Sequence, residues 1–181
     1  MKMQDELKRI MERKEMVTIY GDSADYDYHF VGYIQAIDES GLLLSKQNYS
    51  GYPSGFVFFT DVIYFETDTK DIRRHEILYR LRDLQPAVFP VNAEQNLLEE
   101  VLRICCEKRL FCNIFKKEDD EGDELGFISE LHEDHLIFTN IDKYGDYFGK
   151  SYFAKSDIFR IFIEGEVEQT TRLLYDAQQN T

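Results

Sequence analysis

With 181 residues, 43% of them hydrophobic and including 14 Phe and 12 Tyr, the chain has material for one large domain or two small ones, each with an ordinary core. Its net charge of −14 sets it against nucleic acid on average, since binding there depends on Lys and Arg replacing counterions at phosphates. The imbalance is uneven: 15 acids against 11 bases through Gln85, and 20 against 10 from Pro86 onward.

No apolar run approaches the roughly 18 residues of a membrane span, and the opening MKMQDELKRIMERKE has no signal-peptide core, so a cytoplasmic protein is expected. Three cysteines, Cys105, Cys106 and Cys112, make no CxxC and suit a reducing compartment, pointing away from a disulfide framework or a zinc site.

In chain order, Met3, Leu7, Ile10 and Met11 fall on one face of an N-terminal helix. VTIY (17–20) reads as a short strand, YHFVGYIQAID (28–38) as a long half-buried one, and GLLLS (41–45) as a third, with Glu39-Ser40 before Gly41 as the hairpin. The Gly-rich NYSGYPSG leads into FVFF (56–59), and Thr60-Asp61 separates that strand from VIYFE (62–66). DIRRHEILYRLRDL (71–84) predicts a helix with Ile77, Leu78, Leu81 and Leu84 inward, and DLQPAVFPVN is a linker marked by Pro86 and Pro90. Asn92 with Gln95 signals the next helix start, continued by Leu97, Leu98, Val101, Leu102 and Cys105; a last helix covers about 166–178.

The pattern then repeats at an offset of 94 to 96. MVTIY (16–20) aligns with FCNIF (111–115), VGYIQAIDESGLLL (31–44) with LGFISELHEDHLIF (125–138), and NYSGYPSGFVFF (48–59) with DKYGDYFGKSYF (142–153). Gly32 and Gly126 both sit mid-strand, where glycine weakens a sheet unless the strand bends sharply or another backbone crosses closely. The expectation is therefore a mainly β protein with flanking helices: two tandem five-stranded bent barrels, residues 1–85 and 86–181, each preceded and followed by a helix.

This order resembles the Sm-like fold of the Sm and LSm proteins and of the bacterial RNA chaperone Hfq. The resemblance rests on VTIY, FVGYIQAIDESGLLLSKQN and FVFFTDVIYFE, with the Gly32 bend, the Ile37-Asp38 pair before the hairpin and the closing DVIYF. It covers most of 15–66 and, more thinly, 109–163. It implies assembly through barrel edge strands, within the chain or between chains. The residues with which Hfq reads uridine are replaced by Ser40 and Thr60-Asp61 here, and by Asp134 and Ser156-Asp157 in the second copy. Asp61 and Asp157 place negative charge where a phosphate should pass.

Several groups are candidates for recognition. Tyr49, Tyr52, Tyr144 and Tyr147 offer stacking platforms for bases or anchors for a peptide, or else cover the open end of each barrel. Lys70, Arg73, Arg74, Arg80 and Arg82 form the basic cluster, for RNA phosphates or as a solvated helix face. KKEDDEGDELG (116–126) lacks an EF-hand ladder and reads as a charged hairpin tip, with mimicry of a nucleic-acid backbone as the alternative. His132 and His135 have metal spacing but lie at a turn without an obvious third ligand. No catalytic motif, cofactor signature or metal set is present in the sequence. The expected function is a non-catalytic binding or assembly module for a protein partner, through the tyrosine loops and the Asp61 and Asp157 corners. RNA binding through the basic helix and sequestration of a basic protein by the acidic second half are its rivals.

Overall fold

The computed structural model describes residues 3–21, 29–51, 53–92, 94–117 and 123–179. They form a mixed α+β protein with four α-helices and ten strands whose pairings are antiparallel. The chain divides into two compact units, Met1–Leu97 and Leu98–Thr181, so the linker segment after Pro86 groups with the first.

In the first unit, helix α1 (Met3–Arg13) precedes β1 (Met16–Tyr20), β2 (His29–Asp38), β3 (Gly41–Gln47), β4 (Pro53–Phe59) and β5 (Tyr64–Glu66), and α2 (Lys70–Arg82) follows. The strand order is β5-β1-β2-β3-β4. The second unit has α3 (Leu97–Glu107), whose first residue closes the preceding unit, then β6 (Phe111–Lys116), β7 (Asp123–Leu131), β8 (His135–Ile141), β9 (Tyr147–Ala154), β10 (Ile158–Ile163) and α4 (Glu166–Gln179). Its order, β10-β6-β7-β8-β9, is the same path.

The correspondence extends to registers and helix ends. Gly32 pairs with Val17 and Gly126 with Cys112. A register shift falls between Ile34 and Ala36 in one unit and between Ile128 and Glu130 in the other. Both mid-strand glycines sit beneath a crossing backbone: a Cβ on Gly32 would lie 2.1 Å from the Ser45 carbonyl oxygen, and one on Gly126 2.0 Å from that of Thr139. Close approach, the second of the two reasons for a strand glycine, is therefore present. Helix α1 ends at Lys14 (φ 54°), with Glu15 N–H donating to Ile10 O; α3 ends at Arg109 (φ 49°), with Leu110 N–H donating to Cys105 O. These are Schellman closures, in which a left-handed residue satisfies the last helical carbonyls.

Hydrogen bonding does not close either sheet. Among the described residues β5 pairs with β1 and β10 with β6, and no pairing joins β4 to β5 or β9 to β10. The five strands of each unit therefore follow an open path rather than the expected closed barrel. Leu42, Leu44, Val57 and Phe59 are enclosed on one face of the first unit's strands, with Leu43 and Phe58 buried on the other, and Leu136, Phe138 and Ile161 are enclosed in the second unit.

Helix α2 is turned differently from the sequence expectation. Ile72, His75 and Tyr79 are its buried residues, whereas Ile77 and Leu81 are 46% and 75% exposed. Tyr79 sets this rotation: its hydroxyl bonds the buried Gln47 side chain, and its ring leans on Tyr33 at 5.7 Å. His75 is 3% exposed, and its Nδ1 has no hydrogen-bond partner among the described residues. Burial holds its pKa below the usual 6.5, outweighing Asp71, with Arg74 adding to the depression. The unfolded chain thus takes up a proton near pH 6.5 that the folded one resists, so stability contributed by neutral His75 is lost as pH falls below that value. We expect His75→Thr, which copies Thr171 at the equivalent place in α4, to flatten the decline in urea midpoint between pH 7 and about 5.5. An identical pH slope in the variant would show that His75 is not the group responsible.

Candidate recognition surface

The loop between β3 and β4 is a turn laid directly on α2. Gly51 N–H donates to Asn48 O at 2.9 Å, and the Ser50 hydroxyl donates to Asn48 Oδ1 at 2.6 Å. Gly51 has φ +81°, and a Cβ there would stand 2.7 Å from Leu78 Cδ1, so only glycine combines this backbone with this contact. Two arginines of α2 then hold the loop by its carbonyls: Arg74 Nη2 donates to Tyr49 O at 2.7 Å, and Arg82 Nη1 donates to Ser50 O.

The second loop, between β8 and β9, is built the same way. Gly145 N–H donates to Asp142 O at 2.9 Å, while Asp142 Oδ1 accepts from Tyr144 N–H and Asp146 N–H, both at 2.9 Å. Gly145 has φ +88°, and a Cβ there would lie 2.6 Å from Tyr175 N on α4. Gln178 of α4 donates to Tyr144 O at 3.1 Å, and the Lys143 ammonium sits 5.1 Å from the centre of the Tyr144 ring. In both loops the backbone is clamped while the rings face water: Tyr49 is 78% exposed, Tyr144 64% and Tyr147 62%. These three rings therefore do not pack onto the protein; the glycines make the close contacts with the helices. Tyr52 lies outside the described residues.

Asp61 and Asp157 stand elsewhere. Asp61 follows β4 and accepts from Val62 N–H at 2.9 Å, lining a shallow cleft with Met3, Gln4 and Leu7. Asp157 ends the 3-10 turn Lys155–Asp157, its carbonyl accepting from Lys117 N–H at 2.9 Å. Tyr49 and Asp61 flank opposite ends of the seven-residue β4, which at about 3.3 Å per residue separates them by roughly 20 Å. Tyr144 and Asp157 are likewise divided by β9. The single surface expected from tyrosines and aspartates together is thus two surfaces in each unit.

The basic helix is partly committed to the fold. Arg73 binds Asp68 through Nε at 2.9 Å and through Nη2 to its carbonyl at 3.0 Å, and Arg74 and Arg82 hold the tyrosine loop. Arg80 is exposed, as are Arg73 and Arg74. His132 and His135 stack at 4.4 Å and pair with Glu130 at 3.4 Å and Asp134 at 2.7 Å. The hydrogen bond shared with His135 holds the Asp134 carboxyl below its usual range. No cluster of three or more His, Cys, Asp or Glu suited to a metal occurs among the described residues. Cys112 is fully buried and donates to Leu110 O at 3.5 Å; its neighbour Cys105 and its burial push the thiol well up, the opposite of an activated nucleophile. Residues 118–122 of the acidic stretch lie outside the described residues.

Two exposed aromatics escaped the sequence reading. Phe148 is 79% and Tyr152 67% exposed on β9. Their signal was hidden because Tyr152-Phe153 copies Phe58-Phe59, a pair buried in the first unit. No helix of the described residues is long and apolar enough to cross a membrane. No protein-family model, no curated protein and no solved structure matches the chain.

Proposed function

We propose that the chain is a non-catalytic module of two fused Sm-like units that binds or assembles with a protein partner through the tyrosines of its two helix-clamped loops. The observation that carries this reading is the repeated device of loop and helix. A left-handed glycine and side-chain donors from the following helix fix the backbone, leaving Tyr49, Tyr144 and Tyr147 outward. Aromatic rings on a fixed backbone are efficient anchors, because little loop entropy is lost when a partner covers them. The two-unit part of the reading is supported by the common strand order behind a leading helix, and by the glycine and register shift placed alike in each. A cytoplasmic setting follows from the same proposal.

The test is affinity purification from the native host, with both protein and nucleic acid identified in the eluate. A protein partner is expected, with recovery falling at least tenfold for the triple variant Tyr49→Ser, Tyr144→Ser, Tyr147→Ser. Because these rings are exposed, the melting temperature should stay within about 2 °C of the parent. Recovery unaffected by the variant sinks the loop reading. RNA retained at low salt and lost on Arg73→Ala with Arg74→Ala would replace it with the nucleic-acid reading.

A further inference from the structure

Duplication provides an internal comparison for one face of each sheet. In the first unit Phe56 and Phe58 project from the same face of β4, opposite Ser45 and Leu43 of β3. The segment after α2 returns over that face: Phe89 is 5% exposed, and its ring meets Phe56 edge-on with centroids 5.0 Å apart. Phe58 is fully buried. The segment reads QPAVFPVN from Gln85 to Asn92, carries no charge and is bracketed by Pro86 and Pro90. Two prolines favour extended backbone on either side, so the aromatic is delivered by a stretch that loses little freedom on docking.

In the second unit the same register positions are Lys150 and Tyr152, opposite Thr139 and Ile137 of β8. Helix α4 covers the neighbouring strands, with Tyr175 packed on Phe111 and Phe127. Among the described residues the face of β9 is left bare: Lys150 and Tyr152 alternate on it, Phe148 stands at the register shift just before them, and all three are exposed. Contiguous exposed aromatics of this kind mark interaction surfaces.

We propose that the Phe148, Lys150, Tyr152 face of β9 is the docking site for an extended, uncharged, proline-bracketed aromatic segment of a partner protein. That segment is chemically like residues 85–92 of this chain. Lys150 replaces Phe56, so the incoming ring meets an ammonium and makes a cation–π contact where the first unit makes a ring-on-ring one. Phe148 and Tyr152 flank it and bury the apolar residues on either side. The inference rests on the reading of the chain as a protein-binding module, and it uses residues other than the loop tyrosines.

The experiment is fluorescence anisotropy of a labelled synthetic peptide, LQPAVFPVN, titrated with the full chain. Saturable binding is expected. It should weaken at least tenfold when Phe148→Ser and Tyr152→Ser are combined, and again when the peptide's phenylalanine is replaced by alanine, yet be unchanged by Tyr49→Ser. Thermal melts of the variants confirm that they fold. Absence of binding at millimolar protein, or binding that survives the β9 double variant, overturns the proposal. Loss on Tyr49→Ser with no loss on the β9 variant also overturns it, while leaving the tyrosine-loop reading in place.

Discussion

Gly32→Ala and Gly126→Ala are each expected to destabilise the protein by about 3 kcal/mol or more, the upper range for forcing atoms into a packed site. The added carbon would stand 2.1 Å from Ser45 O in the first case and 2.0 Å from Thr139 O in the second. Both obstacles are backbone, so no side-chain rotation relieves them. Gly126 adds a second cost, because its φ of +151° is one that a side chain rarely adopts. The strand must move away from its neighbour, lengthening hydrogen bonds next to the register shift. Denaturant unfolding of each variant, monitored by far-UV circular dichroism, measures the effect. A loss below about 1 kcal/mol at either glycine, the level of an ordinary propensity change, would mean that the backbones do not cross as described.

Truncating the enclosed face tests the packing in the same paired way. Leu44 and Phe138 occupy one place in the two registers, opposite Ile34 and Ile128, and both are 0% exposed. We expect Phe138→Ala to cost about 3–5 kcal/mol and Leu44→Ala about 2–5 kcal/mol, because each leaves a cavity that the neighbouring strands only partly fill. By contrast Tyr152→Ala, on the exposed face of the adjacent β9, should change stability by about 0.5 kcal/mol or less. If Phe138→Ala and Tyr152→Ala proved equally mild, the assignment of inner and outer faces in the second unit would be wrong.

Much of the fold was legible in the sequence because strand alternation, turn residues and the repeated phrase all agree. β2 was expected at 28–38 and spans His29–Asp38; the hairpin at Glu39-Ser40 closes with Asp38 Oδ1 accepting from Ser40 N–H and Gly41 N–H. The last helix was expected at 166–178 and covers Glu166–Gln179. The face of α2 was misread for a physical reason. Its apolar pattern at Ile77 and Leu81 looks inward, but the helix buries His75 and Tyr79, whose rings are large and whose polar atoms disguise them as surface residues. The tyrosine loops were legible because glycine and tyrosine recur there twice. The bare face of β9 was not, since the residue that meets the equivalent strand in the other unit, Phe89, lies outside the repeated phrase. Nor does sequence spacing alone show that Asp61, twelve residues after Tyr49, lies at the far end of an intervening strand.

The central claim is that one strand path is traced twice, and inter-strand NOEs between backbone protons of the isotopically labelled chain test it most directly. Contacts are predicted for Met16–Tyr33 and Thr18–Glu66 in the first unit, and for Phe111–Phe127 and Ile163–Cys112 in the second. Contacts placing β6 beside strands other than β7 and β10, or β1 beside strands other than β2 and β5, would contradict the account.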